Sequence, residues 1–352
     1  MEKIKKLKQI FKKRKIDGYI IPKNDEFFAE YIPDYNDRLN YISNFSGSYG
    51  FALILKSKNY LFVDGRYTLQ ANNQSGKFYE IITFPNKMPS DILKNKKISI
   101  GFDPKLLTKK TLNIFFGKNN CKFKPLNNNL IDKIWKRKIK KTKTYFYKLP
   151  NHSIGESYKS KVNKVVFNLK RKGIDFQLIT ASENNAWLFN IRGNDAKYAP
   201  IPNSHVLIDR NKNIKFFCDL KSISTKLKRN FDKIKFIQKE LLSEVLLKIT
   251  RKKFIIDRST CSLFYENVIS KNNKIVDLSD PIYFLKAIKS KAEIKNIKLA
   301  HIYDGAALTK FLFWLKKNFN KKKITEISAA QKLYDFRKKN KNFKFLSFPT
   351  IS

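Results

Sequence analysis

The chain has 352 residues, with 74 lysines and arginines against 29 aspartates and glutamates, and a formal net charge of +45. This length suits two or three domains rather than one core, and a hydrophobic content of 42% argues against disorder. No run of about 18 apolar residues is present to span a bilayer, and the N-terminus lacks the apolar stretch and cleavage site of a signal peptide. These features predict a cytoplasmic protein.

The positive charge is strong enough to hold polyanions non-specifically at low salt. The lysines are nevertheless spread through every segment of the chain. RNP aromatic patterns, zinc-finger spacing and KH loops are all missing from the sequence. Solvated surface charge is therefore the favoured interpretation, and a basic nucleic-acid-binding protein stays an alternative.

The cysteines point to neither disulfides nor zinc. Cys121, Cys218 and Cys261 are an odd number without CxxC spacing, which disfavours a disulfide framework and a structural zinc site. We predict reduced thiols that are buried or half exposed.

The first 147 residues are predicted to form one α/β unit. Residues 2–15 place apolar side chains at helical spacing, and Asp17-Gly18 then leads into a strand. Farther along, two strand-like segments are joined by a polar turn, which indicates a β-hairpin. The predicted elements are the helix over residues 2–15, the hairpin strands Phe51–Leu55 and Tyr60–Val63, a helix at Thr108–Phe116 and the segment Leu130–Trp135.

The same order of elements returns in residues 148–286. A charged, unperiodic linker from Lys136 to Pro150 precedes this second copy, which opens with a helix from Glu156. We therefore predict an α/β fold with two like units, the same strand order in both, and central strands beneath flanking helices. The aspartates expected at matching positions are Asp64 with Asp219, and Asp103 with Asp257.

Residues 287–352 are predicted to be mainly helical and to begin a third, incomplete domain. One helix runs from Ser290 to about Phe319, a second from about Thr325 to Lys338, and Phe343–Phe348 has the pattern of a strand. Two long helices without a sheet to cover their apolar faces predict a fragment of a larger fold. The stripe of the first helix consists of Ile294, Ile297, His301, Asp304, Leu308, Phe311 and Leu315.

Three groups of motifs, in order along nearly the whole chain, carry a family resemblance. The first group is Asn44-Phe45-Ser46-Gly47 with Val63-Asp64-Gly65-Arg66-Tyr67, and the second is Ala186-Trp187-Leu188-Phe189-Asn190-Ile191-Arg192-Gly193-Asn194-Asp195. The third is Ala300-His301-Ile302-Tyr303-Asp304-Gly305 with Leu346-Ser347-Phe348-Pro349-Thr350-Ile351-Ser352. Together they resemble the cytosolic three-domain Xaa-Pro aminopeptidases of the creatinase and prolidase type, with two N-terminal domains and the opening of the pita-bread catalytic domain.

The resemblance implies a metal-dependent hydrolase that releases the N-terminal residue from peptides with proline in second position. In that family two aspartates, one histidine and two glutamates hold two divalent ions, usually manganese, in a homodimeric enzyme. Such hard oxygen ligands suit Mn²⁺ better than thiolates do. In the family these ligands follow the motif that ends here at Ser352. We therefore expect no metal bound to this chain and no activity from it alone.

One other interpretation of the resemblance stays open. The chain is then a non-catalytic N-terminal fragment, or a partner that dimerises with a complete homologue. Together with the basic nucleic-acid-binding protein, this gives three competing classes.

Arg66 is the residue that the resemblance marks as substrate-binding. In the family the arginine of the Asp-Gly-Arg-Tyr motif contacts the peptide, which suits a guanidinium directed at a carbonyl or a carboxylate. Pairing with Asp64, or capping the end of the hairpin, is an equal alternative. Arg192 and Asp195 either line the same cleft or hold their own loop, and the tight turn expected at Gly193 favours the loop.

The histidines fall one in each part of the chain, as His152, His205 and His301. His301 and Asp304 share a helical face and come nearest to a metal-ligand pair. An i, i+3 pair among Ile and Leu is more often a helix contact, and a dinuclear site needs several converging carboxylates. We therefore predict no catalytic or metal-ligating residue in this chain.

Overall fold

A computed structural model describes residues 2–117, 119–137, 144–321 and 323–351 of the chain. Two six-stranded sheets follow one another along it, each covered by helices on both faces, so the predicted α/β class is confirmed. Residues 138–143 of the predicted linker and Ser352 of the last motif lie outside the described residues. Among the residues described, no helix is long and apolar enough to cross a membrane.

The first unit is a mixed sheet between two layers of helices. Its elements are α1 (Glu2–Arg14), β1 (Gly18–Pro22), α2 (Arg38–Ser43), β2 (Gly50–Leu55), β3 (Asn59–Val63), α3 (Thr68–Ser75), β4 (Glu80–Thr83), α4 (Pro89–Leu93), β5 (Ser99–Phe102), α5 (Lys109–Phe116), β6 (Lys122–Pro125) and α6 (Leu130–Ile134). The strand order is β4-β3-β2-β1-β5-β6. Strand β2 is antiparallel to both neighbours, and the other pairs are parallel.

Successive residues of the strands supply the two cores of this unit. Tyr19 and Ile21 of β1 pack with α1, α2, α3 and α6, whereas Ile20 packs with α4 and α5 on the other face. Leu7 and Phe11 of α1 are fully buried. The apolar residues spaced along residues 2–15 therefore form the buried face of α1, and the predicted helix is confirmed.

The second unit repeats this plan. Its elements are β7 (Phe146–Lys148), α7 (Tyr158–Arg171), β8 (Phe176–Ile179), α8 (Ser182–Phe189), β9 (Ile191–Gly193), β10 (His205–Asp209), β11 (Ile214–Cys218), α9 (Thr225–Lys228), β12 (Ile234–Gln238), α10 (Leu242–Leu247), β13 (Lys253–Ile256), α11 (Leu263–Ser270), β14 (Lys274–Asp277) and α12 (Ile282–Ala287). The strand order is β12-β11-β10-β8-β13-β14, and β7 pairs separately with β9. The predicted boundaries at residues 147 and 286 stay predictions.

The duplication extends to individual hydrogen bonds, and the predicted repeat of the strand order is confirmed. The carboxylate of Asp17 accepts from the backbone N–H of Ser99 at 2.9 Å, and that of Asp175 accepts from Lys253 at 2.9 Å. Asn44 ends α2 in the left-handed conformation, as Asn190 ends α8. These matches show that the two sheets share one connectivity. They also share the same hydrogen bonds and left-handed helix ends at equivalent turns.

Two long helices follow the second unit. Ser290 and Glu293 form a capping box at the start of α13 (Lys291–Asn318), and α14 (Glu326–Lys338) packs against it. Gly155 of the second unit lies against this cap, because a Cβ atom there would come within 1.7 Å of Ser290 Oγ. The close approach requires glycine at this position.

The predicted strand at Phe343–Phe348 is wrong. These residues have irregular backbone, and within the described residues no strand lies beside them to complete a hydrogen-bond ladder. Phe345 and Phe348 are 46% and 59% exposed. Alternating apolar residues alone do not form a strand when no sheet edge is available.

Candidate functional site

The two units meet through segments that follow the carboxyl ends of their strands. Thr108 and Ser262 form an antiparallel backbone bridge between the units. The Leu263 N–H donates to Leu107 O at 2.8 Å, and the Phe264 N–H donates to Pro104 O at 2.9 Å. Loops at the carboxyl ends of strands are the usual position of ligand sites in open α/β sheets, so the cleft between the units is the candidate site.

The contact is asymmetric although the two units are equivalent. On one side the ring of Phe264 faces the first unit, with Lys105 Nζ 5.0 Å from its centroid. The position equivalent to Phe264 in the first unit is occupied by Lys110, and there the interface leaves an open pocket of about 540 Å³. Its lining residues are Lys109, Lys110, Asn113, Ile114, Asp257, Arg258, Ser259, Asp277 and Ser279.

Aromatic rings fill another part of the interface. Phe27 of the first unit stacks on His205 at 5.0 Å, and Tyr265 approaches the same imidazole edge-on at 5.3 Å. Burial lowers the pKa of His205 to about 4, although a backbone hydrogen bond with Thr180 opposes the shift. His205 is therefore neutral at physiological pH and part of the interface.

Arg66 lies on the 3-10 turn that follows β3, and Asp64 fixes its side chain. Arg66 Nη2 donates to Asp64 Oδ2 at 2.6 Å, and Nε donates to Oδ1 at 3.1 Å. This hydrogen bonding holds the pKa of Asp64 below its usual range. The Arg66 side chain stays 72% exposed. Pairing with Asp64 is thus present, and it also orients a cation that solvent and ligands can reach.

A tyrosine lies beside Arg66, and two further tyrosines form a contact between the units. The ring of Tyr67 packs under the guanidinium at 5.2 Å, and Tyr31 contacts Tyr198 of the second unit at 5.2 Å. Burial raises the pKa of Tyr31, and Glu30, Tyr198 and Tyr67 raise it further, so Tyr67 is close to this inter-unit contact. Tyr198 has φ of 67°, a conformation that non-glycine residues seldom adopt outside functional or tightly held loops.

The sequence contains a counterpart of Arg66 that motif comparison alone did not single out. The Arg66 N–H donates to Asp64 Oδ1 at 2.9 Å, and the Lys221 N–H donates to Asp219 Oδ1 at 3.0 Å. Both aspartates follow equivalent strands, as predicted from the repeat. The sequence feature that identifies Lys221 is the spacing Asp-x-basic, which both turns share. Lys221 differs from Arg66 because an ammonium group cannot donate two parallel hydrogen bonds as a guanidinium does.

Arg192 and Asp195 hold their own loop. Arg192 Nη1 donates to Ala186 O at 2.8 Å, and Asp195 Oδ2 accepts from the Asn203 N–H at 2.7 Å. Burial lowers the pKa of Arg192 and raises that of Asp195. These contacts fit the interpretation that both side chains fix the turn around Gly193.

The three histidines are not brought together. His152 is exposed on a 3-10 turn, and its carbonyl accepts from Asn296 Nδ2 at 3.3 Å. Asp304 pairs with Arg337 of α14 at 2.6 Å, which ties α13 to α14, while His301 is exposed. Within residues 2–117, 119–137, 144–321 and 323–351, no group of three or more His, Cys, Asp and Glu side chains is arranged to hold a metal ion.

The cysteines are distributed through the cores. Cys218 and Cys261 are buried free thiols, and Cys121 is half buried. Burial raises the pKa of the Cys218 thiol to about 12 and also raises that of Cys261. Neither buried thiol forms a nucleophilic thiolate at neutral pH.

Comparison with known families accounts for both units. Two family models, both described as "Creatinase/Prolidase N-terminal domain", match the chain, one over residues 3–134 and the other over residues 137–293. Each match contains one six-stranded sheet with its helices. The two matches together cover most of the chain.

Longer relatives align with nearly all of this chain. A probable Xaa-Pro aminopeptidase P of Paracoccidioides lutzii is 31% identical over 98% of the chain, and Xaa-Pro aminopeptidase 1 of Dictyostelium discoideum is 30% identical over all of it. The crystal structure of an X-prolyl aminopeptidase from Caenorhabditis elegans, described as a cytosolic enzyme with a di-nuclear active site, superposes with a TM-score of 0.90 over 99% of the chain at 25% identity. The chain spans about 60% of the length of these proteins.

Proposed function

Because the chain belongs to the creatinase/prolidase family and is similar to Xaa-Pro aminopeptidases P along nearly its whole length, we propose that it serves the same reaction. The reaction is release of the N-terminal residue from peptides with proline in second position. The two sheets, α13 and α14 all align with the C. elegans enzyme, which supports this proposal.

The role of the described residues in this proposal is to bind the peptide. The observation that carries it is the Arg66 guanidinium, which Asp64 orients while 72% of the side chain stays exposed. Arg66 Nη1 has no hydrogen-bond partner among the residues described. It is free to donate to a peptide carbonyl or carboxylate, and the ring of Tyr67 supports the guanidinium plane.

The proposed reaction needs a metal centre that the described residues do not fit. Two divalent ions, proposed to be manganese, would supply a hydroxide and polarise the scissile carbonyl. Such a centre needs several carboxylates around one point, and the described part of the chain has no such group. Asp304, which the sequence marked as part of the nearest metal-ligand pair, accepts hydrogen bonds from Arg337 instead. A cytoplasmic location and a homodimer of the complete enzyme belong to the same proposal.

A turnover assay tests the proposal that the described residues bind the peptide but do not catalyse its cleavage. Purified residues 1–352 with added Mn²⁺ are expected to release no N-terminal residue from an Xaa-Pro peptide above background. Turnover that a chelator abolishes would show that this chain itself holds the metal ions, and the proposal that it only binds the peptide would be wrong.

A binding assay tests Arg66 itself. Anisotropy of a labelled Xaa-Pro peptide is expected to show weaker binding by Arg66→Ala, by about tenfold for the loss of one charge-assisted hydrogen bond. Arg66→Lys keeps the charge but loses the fork, so we expect intermediate affinity. Lys221→Ala is the matched control at the equivalent position of the second unit. Equal affinity of wild type and Arg66→Ala contradicts the role of Arg66.

The third part of the chain favours a second candidate function, that of a non-catalytic partner of a complete homologue. Apolar side chains of α13 lie in solvent, with Ile302 64% exposed and Phe313 69% exposed. Among the residues of α13 only Ala307 is buried. A long apolar helix face without cover is typical of a surface that binds another protein chain.

A further inference from the structure

A second pocket lies at the amino ends of β13 and β14, at the edge of the second sheet away from the first unit. It is an open concavity of about 560 Å³. Its lining consists of Arg251, Lys252, Lys253, Ser270, Lys271, Asn272, Asn273 and Lys274. Five of these eight residues are cationic and none is acidic, which is far from the balance of an ordinary solvated surface.

None of the five cationic side chains forms an ion pair with a described residue. The neighbouring carboxylate of Asp175 accepts from the backbone N–H of Lys253 at 2.9 Å and pairs with Arg210. Lys253 and Lys274 are direct neighbours in the parallel ladder between β13 and β14. Like charges held side by side repel each other, and an anion between them removes that repulsion.

The backbone around the pocket is held in place by hydrogen bonds between its two loops. The Arg251 N–H donates to Asn272 O at 2.8 Å, and the Lys252 N–H donates to Asn273 Oδ1 at 3.0 Å. Asn273 Nδ2 in turn donates to Ile249 O at 2.7 Å. Arg251 has φ of 56°, so this loop keeps a residue in a strained conformation. The cations are therefore presented from a preorganised frame.

We propose that this pocket binds a run of linked phosphate groups, independently of the peptide site. The lining has no aromatic ring on which a base could stack, so we expect the pocket to recognise phosphate charge and not base identity. Inorganic polyphosphate and the backbone of single-stranded RNA share this chemistry. The volume of about 560 Å³ is sufficient for several phosphates.

Charge-matched variants separate this pocket from the net charge of +45. The test triple is Lys252→Gln, Lys271→Gln and Lys274→Gln in the full chain. The control triple is Lys5→Gln, Lys12→Gln and Lys13→Gln on α1, whose side chains are also exposed. Each triple lowers the net charge by three. Binding of labelled linear polyphosphate is measured by anisotropy over a range of salt concentrations.

The test triple is expected to weaken binding about tenfold at physiological salt and to reduce the slope of log affinity against log salt by about 2. The control triple is expected to leave the affinity and the salt slope within about twofold of wild type. Equal losses in the two triples would show that only net charge acts, and the proposal would fall.

Two further measurements address shape and source. Asn273→Ala removes the loop contacts without changing charge, and we expect weaker polyphosphate binding. Wild-type affinity in Asn273→Ala contradicts a preorganised pocket. A single-stranded oligoribonucleotide with the same number of phosphates is expected to bind as tightly as polyphosphate, and orthophosphate much more weakly. A preference for one base sequence contradicts phosphate recognition.

Discussion

Thr108 and Ser262 occupy equivalent positions in the two units and pair with each other across the interface. Each is the N-cap of the helix that follows it, α5 for Thr108 and α11 for Ser262. Their backbones form the antiparallel bridge between the units, and both residues are buried. The duplicated chain thus contacts itself through the same turn from both sides, as the subunits of an isologous dimer do.

Removing either cap is expected to destabilise the protein. The Thr108 hydroxyl accepts from the Thr111 N–H at 3.0 Å, and the Ser262 hydroxyl accepts from the Tyr265 N–H at 3.4 Å. Thr108→Ala and Ser262→Ala should each lower the free energy of unfolding by about 1 kcal/mol in urea titrations. Ser270→Ala, at an exposed helix end, is the control and should change it by less than about 0.5 kcal/mol. A cap variant as stable as this control argues against the capping role.

The neutral His205 should make stability depend on pH. Its pKa is lowered from the usual 6.5 to about 4, so between these values the unfolded chain binds a proton that the native state does not. The free energy of unfolding should therefore fall, as pH decreases through this window, by about 1.4 kcal/mol per pH unit from this group. His205→Gln removes this contribution. Asp25, whose pKa burial raises to about 6, acts in the opposite direction in both proteins. Parallel pH profiles of wild type and His205→Gln contradict the assignment.

Arg38 should be among the most sensitive positions of the first unit. It is 3% exposed and donates to Asp132 Oδ1 at 2.8 Å and to Glu26 Oε1 at 2.7 Å. Arg38→Met leaves Glu26 without its cation and leaves Asp132 with Arg137 alone. We expect a loss of about 3 kcal/mol in urea unfolding, the low end for buried pairs because both acids are partly exposed. Arg137→Ala, which removes another cation from Asp132, should cost less than about 1 kcal/mol. Equal effects of the two variants would refute a special role for Arg38.

The exposed apolar face of α13 should drive self-association. Leu312 and Phe313 are 54% and 69% exposed, and other apolar side chains of α13 lie in solvent beside them. Sedimentation velocity is expected to show concentration-dependent association of wild type that Phe313→Lys reduces. Phe167→Lys, at an equally exposed phenylalanine on α7, is the matched control and should leave it unchanged. A monomeric wild type at all concentrations contradicts this prediction.

Local periodicity predicted the elements whose partners are close in sequence. The helix α13 begins at the cap Ser290 and the hairpin β2–β3 has its expected strands, because capping boxes and alternation are written in neighbouring residues. The spacing of Asp64 and Asp219 likewise predicted equivalent turns. The strand expected at Phe343–Phe348 did not form, since a strand also needs a neighbour that no local pattern specifies.

By itself the sequence determined the α/β class, the duplication and the family resemblance, because helical and strand periods and turn residues act over a few positions. Only the tertiary structure decided which side chains meet: Arg38 and Asp132 are 94 residues apart, and His205 receives Phe27 from the other unit. It also decided that Arg66 is oriented by Asp64 yet left exposed. Burial, pKa and access depend on the packing of distant segments, and such packing leaves no period in the sequence.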